Sequence, residues 1–296
     1  MISAARARTL KPLLDAFADG RPWTHRVLAD PIELVHRYRT PRDLEVVGLL
    51  AAALAYGRAD LFKPKVDGLL AQMGSSPSQF VEALTVSRAA KLLEGFVYRF
   101  NLGTDVGVLL MGMGATLREK GSLEALMVEG LGDSLHGALA HFTGGLRAAA
   151  PIEALRQKLG PDRGLHHLLP HPLGAGAAKR LNLYLRWMVR GPDAIDFGVW
   201  KRIPASRLII PLDTHVQRIS KLLGLTKRND LSWKTAEDVT ASLRQLDAND
   251  PVRYDFALCH YGMSGACPST AIRENCLTCT LRGQCRIGKR LGRGSW

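Results

Sequence analysis

Apolar residues recur every three or four positions through most of this chain, and the strict alternation of a half-buried strand is nowhere sustained. The periodicity predicts two short helices over 4–18 and 31–38, split by Gly20-Arg21-Pro22. Over 43–56, Leu44, Val47, Leu49, Leu50 and a block of alanines suit a helix buried on most of its surface. Further helices are expected at 61–73, 76–84, 106–118, 134–146 and 151–159, with Gly74, Gly103, Gly132 and Gly160 as breakers. The fold class that follows is all-α, with about six helices in a middle lobe.

With 296 residues, 46% of them hydrophobic, the chain can bury one large core or two lobes. No apolar run approaches the roughly 20 residues of a membrane span. Met1-Ile2-Ser3-Ala4-Ala5-Arg6 lacks the apolar core of a secretory signal, so the expectation is a cytoplasmic protein without membrane contact. Charge changes the picture more. Lys and Arg number 40 against 27 acids, leaving +13 and a pI near 9.8, which favours a polyanionic partner through counterion release. A merely solvated basic surface is the alternative.

One stretch reads as chemistry rather than packing. Leu169-Pro170-His171-Pro172-Leu173-Gly174-Ala175-Gly176 is a Pro and Gly rich hairpin that opens into a helix-forming run over 177–190. Gly174 and Gly176 allow a tight turn and leave N–H groups free to cradle an anion such as a phosphate. On the helix, Lys179, Asn182 and Arg186 share a stripe beside the apolar Leu181, Leu185 and Met188, and that stripe is either functional or simply solvated. Arg180, Arg190, Lys201, Arg202 and Arg207 add charge suited to phosphate contacts. In Pro211-Leu212-Asp213-Thr214-His215, Asp213 is placed to cap a helix with apolar Val216, Ile219, Leu222 and Leu223. The adjacent His166 and His167 read as ordinary surface or phosphate-contacting histidines rather than a metal site, because neighbouring helical residues point about 100° apart and no carboxylate or cysteine follows at ligand spacing.

The C-terminal part holds Cys267-x8-Cys276-x2-Cys279-x5-Cys285. Four cysteines so close in sequence can converge on one metal centre, and a chain without a secretory signal has little use for them as disulfides. With one Cys-x2-Cys pair and unequal outer spacers, zinc and an iron-sulfur cluster both stay open on spacing alone. Cys259, in Phe256-Ala257-Leu258-Cys259-His260-Tyr261-Gly262, lies outside the pattern and reads as a buried helix position. Arg282, Arg286, Lys289, Arg290 and Arg293 surround the last cysteine with positive charge, and no acid interrupts 281–296.

In these motifs the chain resembles the helix-hairpin-helix DNA glycosylase superfamily, endonuclease III-like, on a branch near the archaeal 8-oxoguanine DNA glycosylases. That superfamily sets a catalytic lysine after its glycine hairpin in a Gly-x-Lys-Thr-Ala-Asn type run, of which Lys179-Arg180-Leu181-Asn182 keeps the lysine and the asparagine. Its catalytic aspartate stands in Val-Asp-Thr-His, matched in three of four letters by Leu212-Asp213-Thr214-His215. The gap from Lys179 to Asp213 is 34 residues (213 − 179), about twice that of endonuclease III and similar to the archaeal enzymes, which marks 191–210 as an insertion and leaves Lys201 as a rival amine. The family's iron-sulfur loop has the same final Cys-x2-Cys-x5-Cys and a first spacer two residues shorter.

The resemblance implies two helical lobes. Residues 41–204 would form one, ending in the helix-hairpin-helix, and 1–40 with 205–296 the other, with a [4Fe-4S] cluster on Cys267, Cys276, Cys279 and Cys285. Lys179 would close the first lobe and Asp213 open the second. The implied function is base-excision repair by a bifunctional glycosylase and AP lyase. Asp213 would stabilise positive charge on the deoxyribose while Lys179 attacks C1′ as a free amine, its neutral form favoured by burial and the helix start. Gly174, Gly176, Arg180, Arg286 and Arg290 would bind DNA, and the cluster, having no open position, would only shape its basic loop. The expected partner is double-stranded DNA with a damaged base or abasic site, bound by a monomer. A monofunctional glycosylase and a non-catalytic iron-sulfur protein that binds DNA structures are the alternatives. The excised base is not legible, since Trp187, Phe197, Trp200 and His260 suit packing as well as a pocket.

Overall fold

The computed structural model describes every residue except Arg21, Leu173, Ala175 and residues 292–296. Among the described residues the protein is mostly helical, of the all-α class, and its strands are the two-residue pair Val97–Tyr98 and Asn101–Leu102. No helix among them is long and apolar enough to cross a membrane. Contacts divide the chain into two compact units. The first gathers Met1–Arg26, Ala175–Arg186 and Pro204–Trp296, the second Val27–Gly174 and Trp187–Ile203.

In the second unit, helix Pro41–Leu54 starts on a Thr40 side chain that accepts from Asp43 N–H, with Pro41 at the first helical position, where no backbone donor is needed. Every residue from Asp43 to Leu54 is buried, as the alanine block leads one to expect. The long helix Gly103–Lys120 is approached closely at its glycines. A Cβ on Gly112 would stand 2.3 Å from Leu146 O and one on Gly114 2.0 Å from Val81 O, so small residues there let helices Leu135–Ala149 and Pro77–Glu82 seat on its backbone. Buried Glu45 accepts from Leu123 N–H at 3.1 Å, Glu124 N–H at 3.0 Å and Trp200 Nε1–H at 2.7 Å. It thereby satisfies the free donors at the start of helix Leu123–Glu129. Burial pushes its carboxyl up against the pull of those donors.

Short elements depart from the periodicity. Helices Val86–Leu92 and Leu123–Glu129 add to those expected, and 31–38 holds a single turn, Ile32–Val35, preceded by a 3-10 run Trp23–Ala29. Beyond Gly191 the chain folds back irregularly, with Phe197 N–H on Trp187 O at 2.9 Å and Trp200 N–H on Met188 O at 2.8 Å. Trp187 and Trp200 are buried in this packing.

In the first unit the N-terminal helix Ala4–Asp19 lies against Asp255–Met263. Phe17 meets Tyr261 edge-on at 5.1 Å, and the Tyr254 hydroxyl donates to Asp15 at 2.7 Å. Ile2 N–H donates to Ser242 Oγ at 3.2 Å on helix Trp233–Arg244, so the N-terminal segment joins the same unit as these later helices.

Candidate active site

Helix Lys179–Val189 begins at a constrained turn. Ala177 N–H donates to Leu231 O at 3.0 Å, and Gly176 pairs with Ser232 as an isolated antiparallel bridge. Asn182, 1% exposed, reaches back with Nδ2 to Ala177 O at 3.0 Å, which ties the first turn of the helix to the segment before it. Ala178, between them, takes φ +47°, the left-handed region that a side chain disfavours. Glycine was expected to supply this freedom, yet neither Gly174 nor Gly176 has a positive φ, and Gly174 N–H donates to His171 O at 3.1 Å rather than standing bare. The neighbouring Leu173 and Ala175 lie outside the described residues.

Asp213 caps helix Thr214–Leu223 with one oxygen and faces Lys179 with the other. Its Oδ1 accepts from Val216 N–H at 2.8 Å, while Oδ2 stands 3.5 Å from Lys179 Nζ. The lysine side chain is 40% exposed and the aspartate 12%, so the pair opens to solvent on the lysine side. Both residues belong to the first unit, although the resemblance set them in separate lobes. Cys259, expected as a buried core position, is only partly buried and touches this carboxylate: Sγ donates to Oδ2 at 3.4 Å. Its helix contributes Asp255 one turn earlier, and buried Asp255 accepts from Arg186 Nη1 at 2.5 Å while the guanidinium lies over Phe256 at 5.3 Å. Arg186 and Asn182 are thus buried parts of the site rather than a solvated stripe. The i, i+4 spacing of Asp255 and Cys259 is the signal in sequence that could have brought this helix to notice.

Burial alone would push the Lys179 ammonium toward its neutral form. It is outweighed by Asp213, then Cys259 and Asp255, with the hydrogen bond to Asp213 adding to them, and the net direction is upward. This reverses the expectation of a neutral amine, which left the neighbouring acids out. Lys201 is exposed and belongs to the second unit. Arg190 is engaged by Asp193 at 3.2 Å and by Asp196, and Arg202 by Glu124 at 3.6 Å, so part of the basic charge expected nearby is already matched. His167 packs in an aromatic group with Tyr56 at 4.3 Å and Phe100 at 5.2 Å, and His166 Nδ1 lies 3.2 Å from Arg147.

Cys267, Cys276, Cys279 and Cys285 line one pocket together with apolar Leu222, Tyr261, Pro268 and Ile287, and none forms a disulfide. Burial pushes the thiols of Cys267 and Cys276 up. Cys279 and Cys285 push both further, against the nearby Arg218 at Cys267. Among the described residues no three His, Cys, Asp or Glu side chains gather closely enough to hold one metal ion. Arg282, Arg286, Lys289 and Arg290 are exposed next to this pocket in sequence, and Arg293 lies outside the described residues. Gly174 and Gly176 are exposed and Arg180 is partly so.

Residues 30–264 match the profile of a protein family of unknown function, DUF2400, and the chain belongs to that family. The matched span contains Lys179, Asp213 and Cys259 and ends before Cys267. No curated protein and no solved structure matches the chain.

Proposed function

We propose that this chain is a DNA base-excision glycosylase with AP-lyase activity, working through Asp213 and Lys179. The observation that carries the reading is their approach to 3.5 Å across 34 residues of sequence (213 − 179), with Asp213 held by its cap and Lys179 by the tied turn before it. Breaking an N-glycosidic bond builds positive charge on the deoxyribose, and a fixed carboxylate beside it stabilises that charge without reorganising. Lys179 then forms a bond to C1′. Because its neighbours hold it as an ammonium, a proton must first leave Nζ, and Asp213 Oδ2 stands next to it as an acceptor. Opening of the sugar ring, in which the C1′–O4′ bond breaks and O4′ takes up a proton, completes the Schiff base, which acidifies C2′ and permits elimination of the 3′ phosphate. The exposed Gly176 of the hairpin, with Arg180, Arg286 and Arg290, would grip backbone phosphates of the duplex, while the Gly174 N–H is already taken by His171 O.

The four-cysteine pocket suits a [4Fe-4S] cluster. A cluster of several irons would need the four cysteines around a common pocket, which they line, rather than convergence on one ion. The partly buried thiols of Cys267 and Cys276, held up by burial and by Cys279 and Cys285, would be relieved when a cationic centre takes them as thiolates. Cys267, Cys276, Cys279 and Cys285 would hold it, and when bound it would shape the basic loop that follows.

The upward shift at Lys179 favours a second reading, a monofunctional glycosylase in which Lys179 stays an ammonium and water attacks the sugar. A screen of duplexes carrying single damaged or deaminated bases tests both readings. One base should be released by wild-type protein, and about 10²–10³-fold more slowly by Asp213→Asn. Release of none, with Lys179 and Asp213 substitutions altering affinity alone, would leave a non-catalytic DNA-binding protein.

A further inference from the structure

A cavity of about 380 Å³ opens in the first unit between the N-terminal helix, the turn that ends Thr214–Leu223 and the segment after Cys285. Arg6, Lys221, Lys227, Arg286 and Lys289 line it, and no carboxylate does. The walls are built rather than incidental. Arg6 donates to Leu223 O at 2.8 Å and to Gln284 O at 2.6 Å, clamping two sides together. Gly224, at φ +78°, ends the helix, and Leu225 N–H returns to Ser220 O at 2.8 Å, the doubled-back turn of a helix C-terminus. That turn brings Lys227 to the cavity already lined by Lys221, whose Nζ is steadied by Asn229 Oδ1. Lys227, Arg286 and Lys289 are exposed and have no ion-pair partner among the described residues.

Cations held around one hollow repel one another, and an anion seated among them relieves the repulsion. Lysine ammonium groups and an arginine fork together match phosphate oxygens in charge and geometry. We propose that this cavity is a phosphate-binding site that takes a compact phosphate or pyrophosphate group, from a nucleic-acid backbone or from a free nucleotide or polyphosphate. Its place is not arbitrary. Leu222 lines both this cavity and the cysteine pocket, and Gln284, clamped by Arg6, precedes Cys285, so an anion here would stiffen the wall the two share. Neither Lys179 nor Asp213 lines it, and the site stands whether or not the glycosylase reading does.

Calorimetric titration of the full chain with inorganic pyrophosphate tests the site. Wild-type protein should bind one pyrophosphate, and Lys227→Ala with Lys289→Ala should weaken binding about tenfold or more, as loss of charge-assisted hydrogen bonds requires. Both side chains are exposed, so folding should survive, which thermal melting checks. The control pair Lys91→Ala with Lys158→Ala removes the same net charge from exposed positions in the second unit and should change nothing. Competition with a short undamaged duplex identifies the source. Displacement of the duplex by pyrophosphate assigns the site to backbone phosphates, and independent binding assigns it to a free phosphate compound. No binding to wild-type protein, or equal weakening by both double variants, overturns the proposal.

Discussion

Asp213 uses its two oxygens differently, and two substitutions separate them. Asparagine can still accept Val216 N–H and so keep the cap, whereas alanine cannot. Asp213→Asn therefore removes mainly the pair with Lys179, and with that lysine 40% exposed such a pair is worth about 0.2–1 kcal/mol. Asp213→Ala loses the cap as well, a further ~0.5–2 kcal/mol. Urea unfolding at pH 7 should place asparagine close to wild type and alanine clearly below it, while both lose base excision. The pH dependence has a definite sign. Lys179 is raised on folding, so its contribution is fully present below the ordinary lysine value of about 10.4 and is lost as pH rises through the still higher folded value. The small gap between wild type and Asp213→Asn should stay constant near neutrality and close in strongly alkaline solution. Without Asp213, Lys179 deprotonates more easily, so borohydride trapping on a preformed abasic site should rise at lower pH in Asp213→Asn than in wild type. Equal stability of the asparagine and alanine variants, or a trapping profile that does not move, would refute this account of Asp213.

Other consequences are independent of that pair. Asp255→Asn removes the buried carboxylate paired with Arg186 at 2.5 Å and should cost about 3–5 kcal/mol in chemical denaturation, whereas loss of an exposed pair such as Arg58 with Asp60 should be hard to detect. Gly262→Ala puts a Cβ 2.6 Å from His215 Cβ and should lower stability by roughly 1–3 kcal/mol while disturbing the helices that carry Cys259 and Asp213, seen as a lower melting temperature and slower excision. Protein purified without oxygen should be brown, with iron and acid-labile sulfide near four each per chain, and Cys279→Ser should lose colour and soluble yield together; stoichiometric zinc without iron would rule the cluster out.

Helices whose apolar stripe runs unbroken were legible in sequence, as at Pro41–Leu54 and Thr214–Leu223, because alternate packings would leave Leu44 or Val216 exposed. The cap on Asp213 was legible too, since it depends on residues three apart. Val86–Leu92 and Leu123–Glu129 were not, being short helices whose stability comes from tertiary partners such as Glu45. The motifs singled out Lys179 and Asp213 one at a time, while the direction of the lysine's shift depends on Asp255 and Cys259, which lie far along the chain. Arg186 shows the same limit. A lysine and an arginine on one helical stripe look equally solvated in sequence, and only the partner on helix Asp255–Met263 makes one of them buried.

Covalent trapping identifies the attacking amine. Wild-type protein, incubated with abasic-site DNA and borohydride, should form a stable cross-link as the Schiff base is reduced, and Lys179→Gln should form none while still binding DNA. Lys201→Gln should trap like wild type. Cross-linking that persists in Lys179→Gln, above all if it disappears in Lys201→Gln, would contradict the assignment of Lys179 as the nucleophile beside Asp213.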